Sequence, residues 1–313
     1  MSKASPDQRR FIAAIMTVSA ADDMLEEGDR AGAITAYRKA IDVCPPCDER
    51  GSFQVLLGTI LFEEGDVDAA AEAFHAAAEN GCSYPEEALR RLSFARAAKG
   101  DYAAAIAAMT GALAAGEDAA FAAQALMSFD LALGGVSVAM QRAELDLTGS
   151  NAEYHCRYAL LRAELHRLDG NRAAALASLD LAATLARDDG LTAELALWLA
   201  VLDRYFGRTQ PRPDIGAAFA AETESWPAIA WNILQGAGGR ADLETALGKL
   251  PWTQRAENLA IFDRLQGLLA EREGDYDRAR DAFRRAQAEP HTRWCADYHL
   301  AGEALRKLKI EEA

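Results

Sequence analysis

The sequence predicts an all-α fold built from repeated helix pairs, and three observations carry that prediction. A glycine returns every 32 to 37 residues along the chain of 313 residues. Most of these glycines are followed by Asp or Asn and then by a stretch rich in alanine. No segment shows the alternation of polar with β-branched or aromatic residues that marks a strand. A period of this size is typical of arrays in which each unit buries its apolar face against its neighbours.

Each of these glycines is predicted to end the first helix of a pair, because glycine adopts the left-handed conformation at little cost. The second helix then carries a small residue five positions after the glycine, a large apolar residue at nine and alanine at twelve. After Gly65 these are Ala70, Phe74 and Ala77. Because the offsets are four and three residues apart, the three side chains form one stripe on a helix. The alanines allow a neighbouring helix to approach closely, and the aromatic ring fills the space between layers.

This pattern resembles the tetratricopeptide repeat family, whose unit is two antiparallel helices of about 34 residues. The resemblance implies a right-handed α-solenoid of about eight helix-turn-helix repeats over residues 7–290, followed by a capping helix at 291–310. Five units match well, those with turns at Gly28, Gly65, Gly100, Gly170 and Gly274. Two units also carry the family's glycine seven positions before the turn, where the helices cross closely: Gly58 and Gly267. Three units are predicted to be degenerate, those at Gly135, Gly207 and Gly239.

In two of the degenerate units, the second helix is predicted to be irregular. Pro211 and Pro213 are expected to delay the second helix of the sixth unit to about Asp214. The second helix of the seventh unit is predicted to be short and to stop before Pro251. We expect one elongated domain with a hinge at residues 207–216, where Gly and Pro cluster. The final helix is expected to cover the exposed apolar face of the last repeat.

The net charge of −15 restricts the class of partner. Residues 1–150 carry 12 Lys and Arg against 23 Asp and Glu, whereas residues 151–313 carry 21 against 25. An acidic array repels phosphate backbones, so we expect no nucleic-acid partner. No stretch reaches the roughly 18 apolar residues of a membrane span, so we expect no membrane insertion. The apolar run at residues 11–21 only faintly resembles a signal peptide, and we expect a soluble, cytoplasmic protein.

The resemblance also implies which residues face a ligand. In the family, the first helices of the repeats line the concave face, and the residue six positions before the turn glycine lies in the groove. With neighbouring charged and aromatic residues, this rule gives the partner-binding candidates Asp22, Glu26, Glu63, Glu87, Arg90, Phe94, Phe129, Arg157, Glu164, Arg167 and Tyr205. We expect a groove that is acidic and apolar at its start and mixed in charge near its middle. Such a groove suits a protein segment with an apolar anchor and basic flanks.

Cysteine and histidine residues provide two weaker candidate sites. Cys44 and Cys47 flank two prolines with the spacing of redox motifs, but they follow a helix rather than a strand, which favours incidental thiols in a loop. His291, Cys295 and His299 are four residues apart on one face of the final helix. This spacing suits a metal ion, although no fourth ligand is evident and a packing role is favoured. We therefore expect no metal and no other cofactor.

The sequence favours a non-enzymatic scaffold or adaptor that captures a segment of a partner protein in the groove. No arrangement of nucleophile, base and phosphate loop points to catalysis. Two alternatives stay open. One is a peptide-sensing regulatory module that changes its pitch at residues 207–216. The other is a metal- or thiol-dependent protein that uses Cys44 and Cys47, or the three residues of the final helix. Self-association as a homo-oligomer is also compatible with the sequence, because arrays expose apolar faces at their ends.

Overall fold

The computed structural model describes residues 5–142, 150–189, 192–208, 213–221 and 223–310, and these residues contain sixteen α-helices and no strand. The all-α fold of paired helices is therefore confirmed. The chain divides into two compact units where the sequence predicts one array. The N-terminal unit spans Met1–Glu117 and the C-terminal unit spans Asp118–Ala313.

The N-terminal unit consists of three helix pairs. Its helices are α1 (Pro6–Glu26), α2 (Arg30–Val43), α3 (Asp48–Glu63), α4 (Val67–Asn80), α5 (Pro85–Ala98) and α6 (Tyr102–Ala115). Within each pair, the two helices pack along one another, and α2 packs on α3 as α4 packs on α5. Successive pairs within this unit therefore pack on one another, as the repeat pattern predicts.

The turn between paired helices follows from the glycine and the residue after it. Gly65 has φ +83°, and the N–H of Gly65 donates to the carbonyl of Phe62 over 3.1 Å. The carboxylate of Asp66 then accepts from the N–H of Ala69 over 3.2 Å, which satisfies an orphan donor in the first turn of α4. The same cap is made in the other four well-matched units, by Asp29, Asp101, Asn171 and Asp275. The recurring Asp or Asn is therefore a helix cap.

The predicted close crossing of the two helices is confirmed at both glycines. A Cβ atom on Gly58 would lie 2.6 Å from Cε1 of Phe74, the aromatic residue of the same unit. A Cβ atom on Gly267 would lie 2.5 Å from Cε1 of Phe283. Since real side chains do not approach so closely, the ring occupies the space that a Cβ atom would need, and the two helices can approach this closely only at a glycine.

The C-terminal unit contains ten helices around one continuous core. They are α7 (Ala119–Gln141), α8 (Ala152–Leu168), α9 (Arg172–Asp189), α10 (Ala193–Tyr205), α11 (Pro213–Ala221), α12 (Trp226–Leu234), α13 (Arg240–Leu247), α14 (Trp252–Glu273), α15 (Tyr276–Ala286) and α16 (Ala296–Ile310). The pairs α8–α9 and α14–α15 pack most extensively, and they are the two well-matched repeats of this unit. The core extends from Ala123 to Leu308.

The three degenerate repeats differ from the regular turn in distinct ways. At Gly135, φ is +73° and ψ is −167°, so the chain kinks inside α7 instead of starting a separate capped helix. The helix after Gly207 begins at Pro213, close to its predicted start. Gly239 was expected to end a helix, but it has φ −142° and is the N-cap of α13. The left-handed positions of that turn belong to Gly236 and Gly238 instead.

The last helix is shorter than predicted and has more contacts. A 3-10 turn occupies Pro290–Trp294, and α16 begins only at Ala296. Beside its neighbours α15 and α14, α16 packs against α7 and α8, which lie far earlier in the chain. Its apolar face includes Leu300, Ala301 and Ala304, all buried. The helix therefore covers more of the C-terminal unit than the last repeat alone.

Helix α7 is long and apolar enough, by length and composition, to cross a membrane. Its most apolar window has a mean hydropathy of 1.4. The sequence-based expectation of no membrane span considered only uninterrupted apolar runs, so it did not identify this helix. However, 56% of that window is buried inside the protein, where α7 packs on α8 and α16. A buried core helix meets the same criterion, so the composition of α7 is accounted for by its packing.

Candidate partner-binding site

Six of the candidate residues lie on the first helices of the N-terminal unit. Counted back from the turn glycine, they stand 13, 10, 6 or 2 positions before it, offsets that share one side of a helix. We call this side of α1, α3 and α5 the first-helix face, defined by Asp22, Glu26, Glu63, Glu87, Arg90 and Phe94. Asp22 and Glu26 are exposed, and the other four are partly buried.

The acidic residues of the first-helix face differ in how far the protein itself neutralises them. Asp22 accepts a hydrogen bond from the hydroxyl of Tyr37, a buried side chain whose pKa is raised by burial and by this carboxylate. Glu63 accepts from Nη2 of Arg30 over 2.5 Å, and the same guanidinium pairs with Glu64. Within the described residues, no partner is found for Glu26. The most available negative charge on this face is therefore that of Glu26.

The fifth helix contributes a mixed group to the same face. Glu87 pairs with both Arg90 and Arg91 on its own helix. Nε of Arg90 lies 2.9 Å from a carboxylate oxygen of Glu117, near the end of the unit. Phe94 is partly exposed one turn further on. The face therefore presents acidic groups on α1 and an aromatic side chain beside paired charges on α5.

The candidates of the C-terminal unit occupy a different environment. Phe129 is fully buried, with 0% of its surface exposed. The side chain of Glu164 is also 0% exposed and pairs with Arg264 of α14 and, over 3.0 Å, with Arg167. Burial alone would raise the pKa of Glu164, but the two guanidinium groups lower it overall. In this structure Glu164 therefore has no surface that a ligand can reach.

Arg167 and Tyr205 belong to the same internal network. Nη1 of Arg167 lies 3.3 Å from Glu271, and its guanidinium lies over the ring of Tyr205 at 5.1 Å. The hydroxyl of Tyr205 donates to Glu271 over 2.7 Å. Burial, together with the Glu271 carboxylate, raises the pKa of Tyr205 to about 12. These contacts join α8 and α10 to α14.

Arg157 forms a second, smaller group at the other end of α8. Its Nη1 lies 2.5 Å from Glu194 of α10, and its Nη2 lies 3.1 Å from Glu153. Both carboxylates raise the pKa of Arg157 above its ordinary value, against the effect of burial. Like Arg167, Arg157 is bound by acidic groups of its own chain.

Three residues of the internal network were not predicted: Arg264, Glu271 and Asp297. Arg264 of α14 is 1% exposed and pairs with Asp297 of α16 as well as with Glu164. Its guanidinium lies 5.0 Å from the ring centroid of Trp198. A charged pair inside an apolar stretch, as in Ile261-Phe262-Asp263-Arg264-Leu265, was the available signal for a buried charge. Its partners could not be inferred, because they lie on distant helices.

The thiols and histidines whose side chains the structure describes form no assembled metal site. Sγ of Cys44 lies 3.6 Å from Sγ of Cys47, and burial raises the pKa of Cys44 to about 11. Cys295 is buried, and Nε2 of His299 lies 2.7 Å from the carbonyl oxygen of Arg293. The side chain of His291 lies outside the described residues. Among the side chains that are described, no group of three potential ligands converges.

Comparisons with known proteins agree with the helix pairing. A family model for the tetratricopeptide repeat matches residues 18–85, 55–120 and 237–291, just over half of the chain. A tetratricopeptide repeat protein from Parabacteroides merdae ATCC 43184 has a similar structure, with a TM-score of 0.54 and 15% identity over 95% of this chain and 98% of that one. At this identity, the likeness concerns the fold alone.

Two further solved structures have lower TM-scores. MamA has a TM-score of 0.44 and 21% identity over 54% of this chain and 95% of its own. Yeast Tom70 has a TM-score of 0.35 and 16% identity over 96% of this chain and 68% of its own. No curated protein matches the sequence.

Proposed function

This chain belongs to the tetratricopeptide repeat family, and on that basis we propose that it is a non-enzymatic scaffold that binds a segment of a partner protein. We further propose that the segment binds to the first-helix face of the N-terminal unit. The single observation that supports this choice is the contrast in accessibility between the two units. Asp22 and Glu26 are exposed, whereas Phe129 and Glu164 are fully buried.

Charge supports the proposed chemistry of the partner. Residues 1–117 carry 11 Lys and Arg against 19 Asp and Glu. The first-helix face combines exposed carboxylates on α1 with the partly exposed side chain of Phe94 on α5. A partner segment with basic flanks and an apolar anchor complements such a surface in both charge and polarity. Because the helices are already held by their neighbours, the receptor loses little conformational entropy on binding.

A fluorescence anisotropy titration of the full chain tests this proposal. The probe is a labelled peptide with a Leu-Phe anchor between two Arg-Lys-Arg flanks. Two control peptides replace the flanks with Glu-Asp-Glu or the anchor with Gly-Ser. We expect saturable binding of the first peptide and much weaker binding of both controls, because the face supplies both carboxylates and apolar surface.

Variants then assign the binding to the first-helix face. Glu26→Lys combined with Glu63→Gln removes negative charge there, and Gln still accepts from Arg30. The matched control is Glu72→Lys combined with Glu79→Gln, which makes the same charge change at two exposed positions of α4. We expect the first pair to weaken binding by about 5- to 20-fold at low salt and the control by less than about 2-fold. Equal losses would indicate a general charge effect, and no loss in either would refute the assignment.

A further inference from the structure

Helix α1 exposes an apolar stripe on the side that faces away from its repeat. Ile12 is 52% exposed, Ile15 42% and Met16 69%. These residues are three and four positions apart, so their side chains share one helical face. The opposite face buries Ala14 and Ala21, where α1 packs on α2. The stripe is therefore only partly covered by its own unit.

The stripe is the one place where such residues cluster among the described side chains. Nine large hydrophobic residues are prominently exposed, and three of them fall within these five positions of α1. The other six are scattered over α3, α7, α9, α15 and the loop before α5. Single exposed apolar residues are ordinary on protein surfaces, whereas a contiguous group marks an interaction surface.

The charges on either side of the stripe indicate what covers it. Arg9 and Asp23 are both exposed, and each lies seven residues from Met16 along the same helical face. If two copies of α1 pack side by side in antiparallel orientation, with a two-fold axis beside Met16, Arg9 of each copy lies level with Asp23 of the other. In a parallel arrangement, like charges would meet at both ends. The helix is thus complementary to itself in one orientation only.

We propose that α1 is a self-association surface, on which a second copy of this chain docks antiparallel through Ile12, Ile15 and Met16. The contact is isologous, so one patch serves both copies and the assembly closes as a dimer. Met16 of each copy packs next to the axis, Ile12 and Ile15 pack beside it, and Arg9 pairs with the opposing Asp23 at each end.

The size of the patch sets the expected strength. Stable interfaces bury about 800 Å² per partner, and three apolar side chains with two flanking charges on one helix provide less than that. The dimer should therefore dissociate on dilution in the micromolar range, and it should weaken as salt screens the end pairs. This proposal goes beyond the scaffold function and uses residues other than Glu26 and Glu63. Ile15 lies seven positions before Asp22 on the same side of α1, so the two surfaces adjoin, and the tests of dimerisation therefore contain no peptide.

Sedimentation velocity on the full chain tests the proposal. From about 1 to 200 µM protein, we expect the weight-average mass to rise from that of the monomer of 33.7 kDa toward twice that value. Met16→Glu places two carboxylates next to each other at the axis and should weaken dimerisation at least about tenfold. The matched control, Leu56→Glu, makes the same change at an apolar residue that is 42% exposed on α3, and it should leave dimerisation unaltered.

A charge swap tests the antiparallel register. Arg9→Glu alone and Asp23→Arg alone should each weaken the dimer, since like charges then meet at both ends. The double variant should restore it, because each Glu at position 9 then lies beside an Arg at position 23. A chain that stays monomeric throughout the range, or a dimer that is insensitive to Met16→Glu, overturns the proposal. Dimerisation that the double variant fails to restore overturns the antiparallel arrangement. None of these outcomes depends on peptide binding.

Discussion

Glu164 and Arg264 lie 100 residues apart in the sequence and form an ion pair inside the C-terminal unit, with side chains that are 0% and 1% exposed. The pair joins α8, whose residues the repeat pattern assigns to a ligand-facing surface, to α14. Asp297 of α16 pairs with the same guanidinium, so α16 is joined to α14 as well. Glu164, which the family pattern places in the groove, is thereby bound by later helices of the same chain.

We predict that Arg264→Met strongly destabilises the protein. The substitution leaves the carboxylates of Glu164 and Asp297 buried without their main counter-charge, and breaking a buried pair in this way typically costs about 3–5 kcal/mol. The control is Arg284→Met, which removes an exposed pair with Asp281 on α15 and should cost less than about 1 kcal/mol. Urea unfolding followed by circular dichroism measures both. Equal midpoints for the two variants would contradict a stabilising role of the buried pair.

A second prediction concerns pH and Glu257 of α14. Burial of its carboxyl group, with the charges of Glu194 and Asp297 nearby, raises its pKa to about 8. The unfolded chain binds fewer protons at this group than the folded protein between about pH 4.5 and 8, so the contribution of Glu257 to stability falls as pH rises through that window. Above the folded pKa the loss is complete.

Glu257→Gln should therefore stabilise the protein by about 1–2 kcal/mol at pH 8.5, with little effect at pH 5. Thermal unfolding at both pH values measures this difference. Glu273→Gln, at an exposed position of the same helix that pairs with Arg204 and Arg278, is the control; it should cost less than about 1 kcal/mol, and equally at both pH values. An equal effect of Glu257→Gln at the two pH values would rule out the raised pKa as its cause. His299 does not interfere above pH 6.5, because burial lowers its pKa to about 4 and it stays neutral there.

Two glycines at open positions, one in a turn and one in a helix, give predicted stability changes of opposite sign. A Cβ atom at Gly28 or at Gly216 would meet no atom within 4 Å. Gly28 has φ +83°, so Gly28→Ala should destabilise by about 1–2 kcal/mol through backbone strain alone. Gly216 lies in helical conformation within α11, so Gly216→Ala should stabilise by about 0.5–1 kcal/mol. Thermal unfolding of both variants is decisive, and a destabilised Gly216→Ala with a neutral Gly28→Ala would contradict this account.

The repeat turns could be predicted from the sequence because everything that makes them is local. A glycine, its capping Asp and the apolar stripe lie within about a dozen residues, as at Gly65, Asp66 and Phe74. The turn at Gly239 was misplaced because Gly236 and Gly238 stand close by, and spacing alone does not decide which glycine takes the left-handed conformation. The kink at Gly135 likewise depends on its surroundings.

The internal network could not be predicted, because it depends on which distant helices meet. Nothing near Glu164 in the sequence indicates that Arg264 and Asp297 will approach it. The family pattern gave Glu164 and Arg167 a position on the first helix, and that position is correct. What faces the position is set by α14 and α16. Asp22 and Glu26 of the N-terminal unit, by contrast, are exposed, and their assignment to a binding face stays a prediction.

The two thiols of the first inter-repeat loop lead to a prediction about oxidation. Sγ of Cys44 and Sγ of Cys47 are 3.6 Å apart, so a small side-chain rotation brings them to bonding distance. In excess glutathione disulfide, we expect the peptide that contains both to lose two hydrogens, with two molecules of glutathione formed. Mass spectrometry after native alkylation detects this, and buried Cys156, with a pKa raised to about 12, should stay unmodified. Oxidation of Cys156 before the pair would contradict the prediction.

Hydrogen–deuterium exchange of the full chain, with and without the basic Leu-Phe peptide at saturation, distinguishes the two units as binding surfaces. We propose that the first-helix face of the N-terminal unit binds the partner segment, while the equivalent positions of the C-terminal unit serve internal contacts. We predict slower exchange in α1, α3 and α5 on binding and no change in α8, α10 and α14. Protection confined to α8 and α10, with α1 and α3 unchanged, would contradict the account.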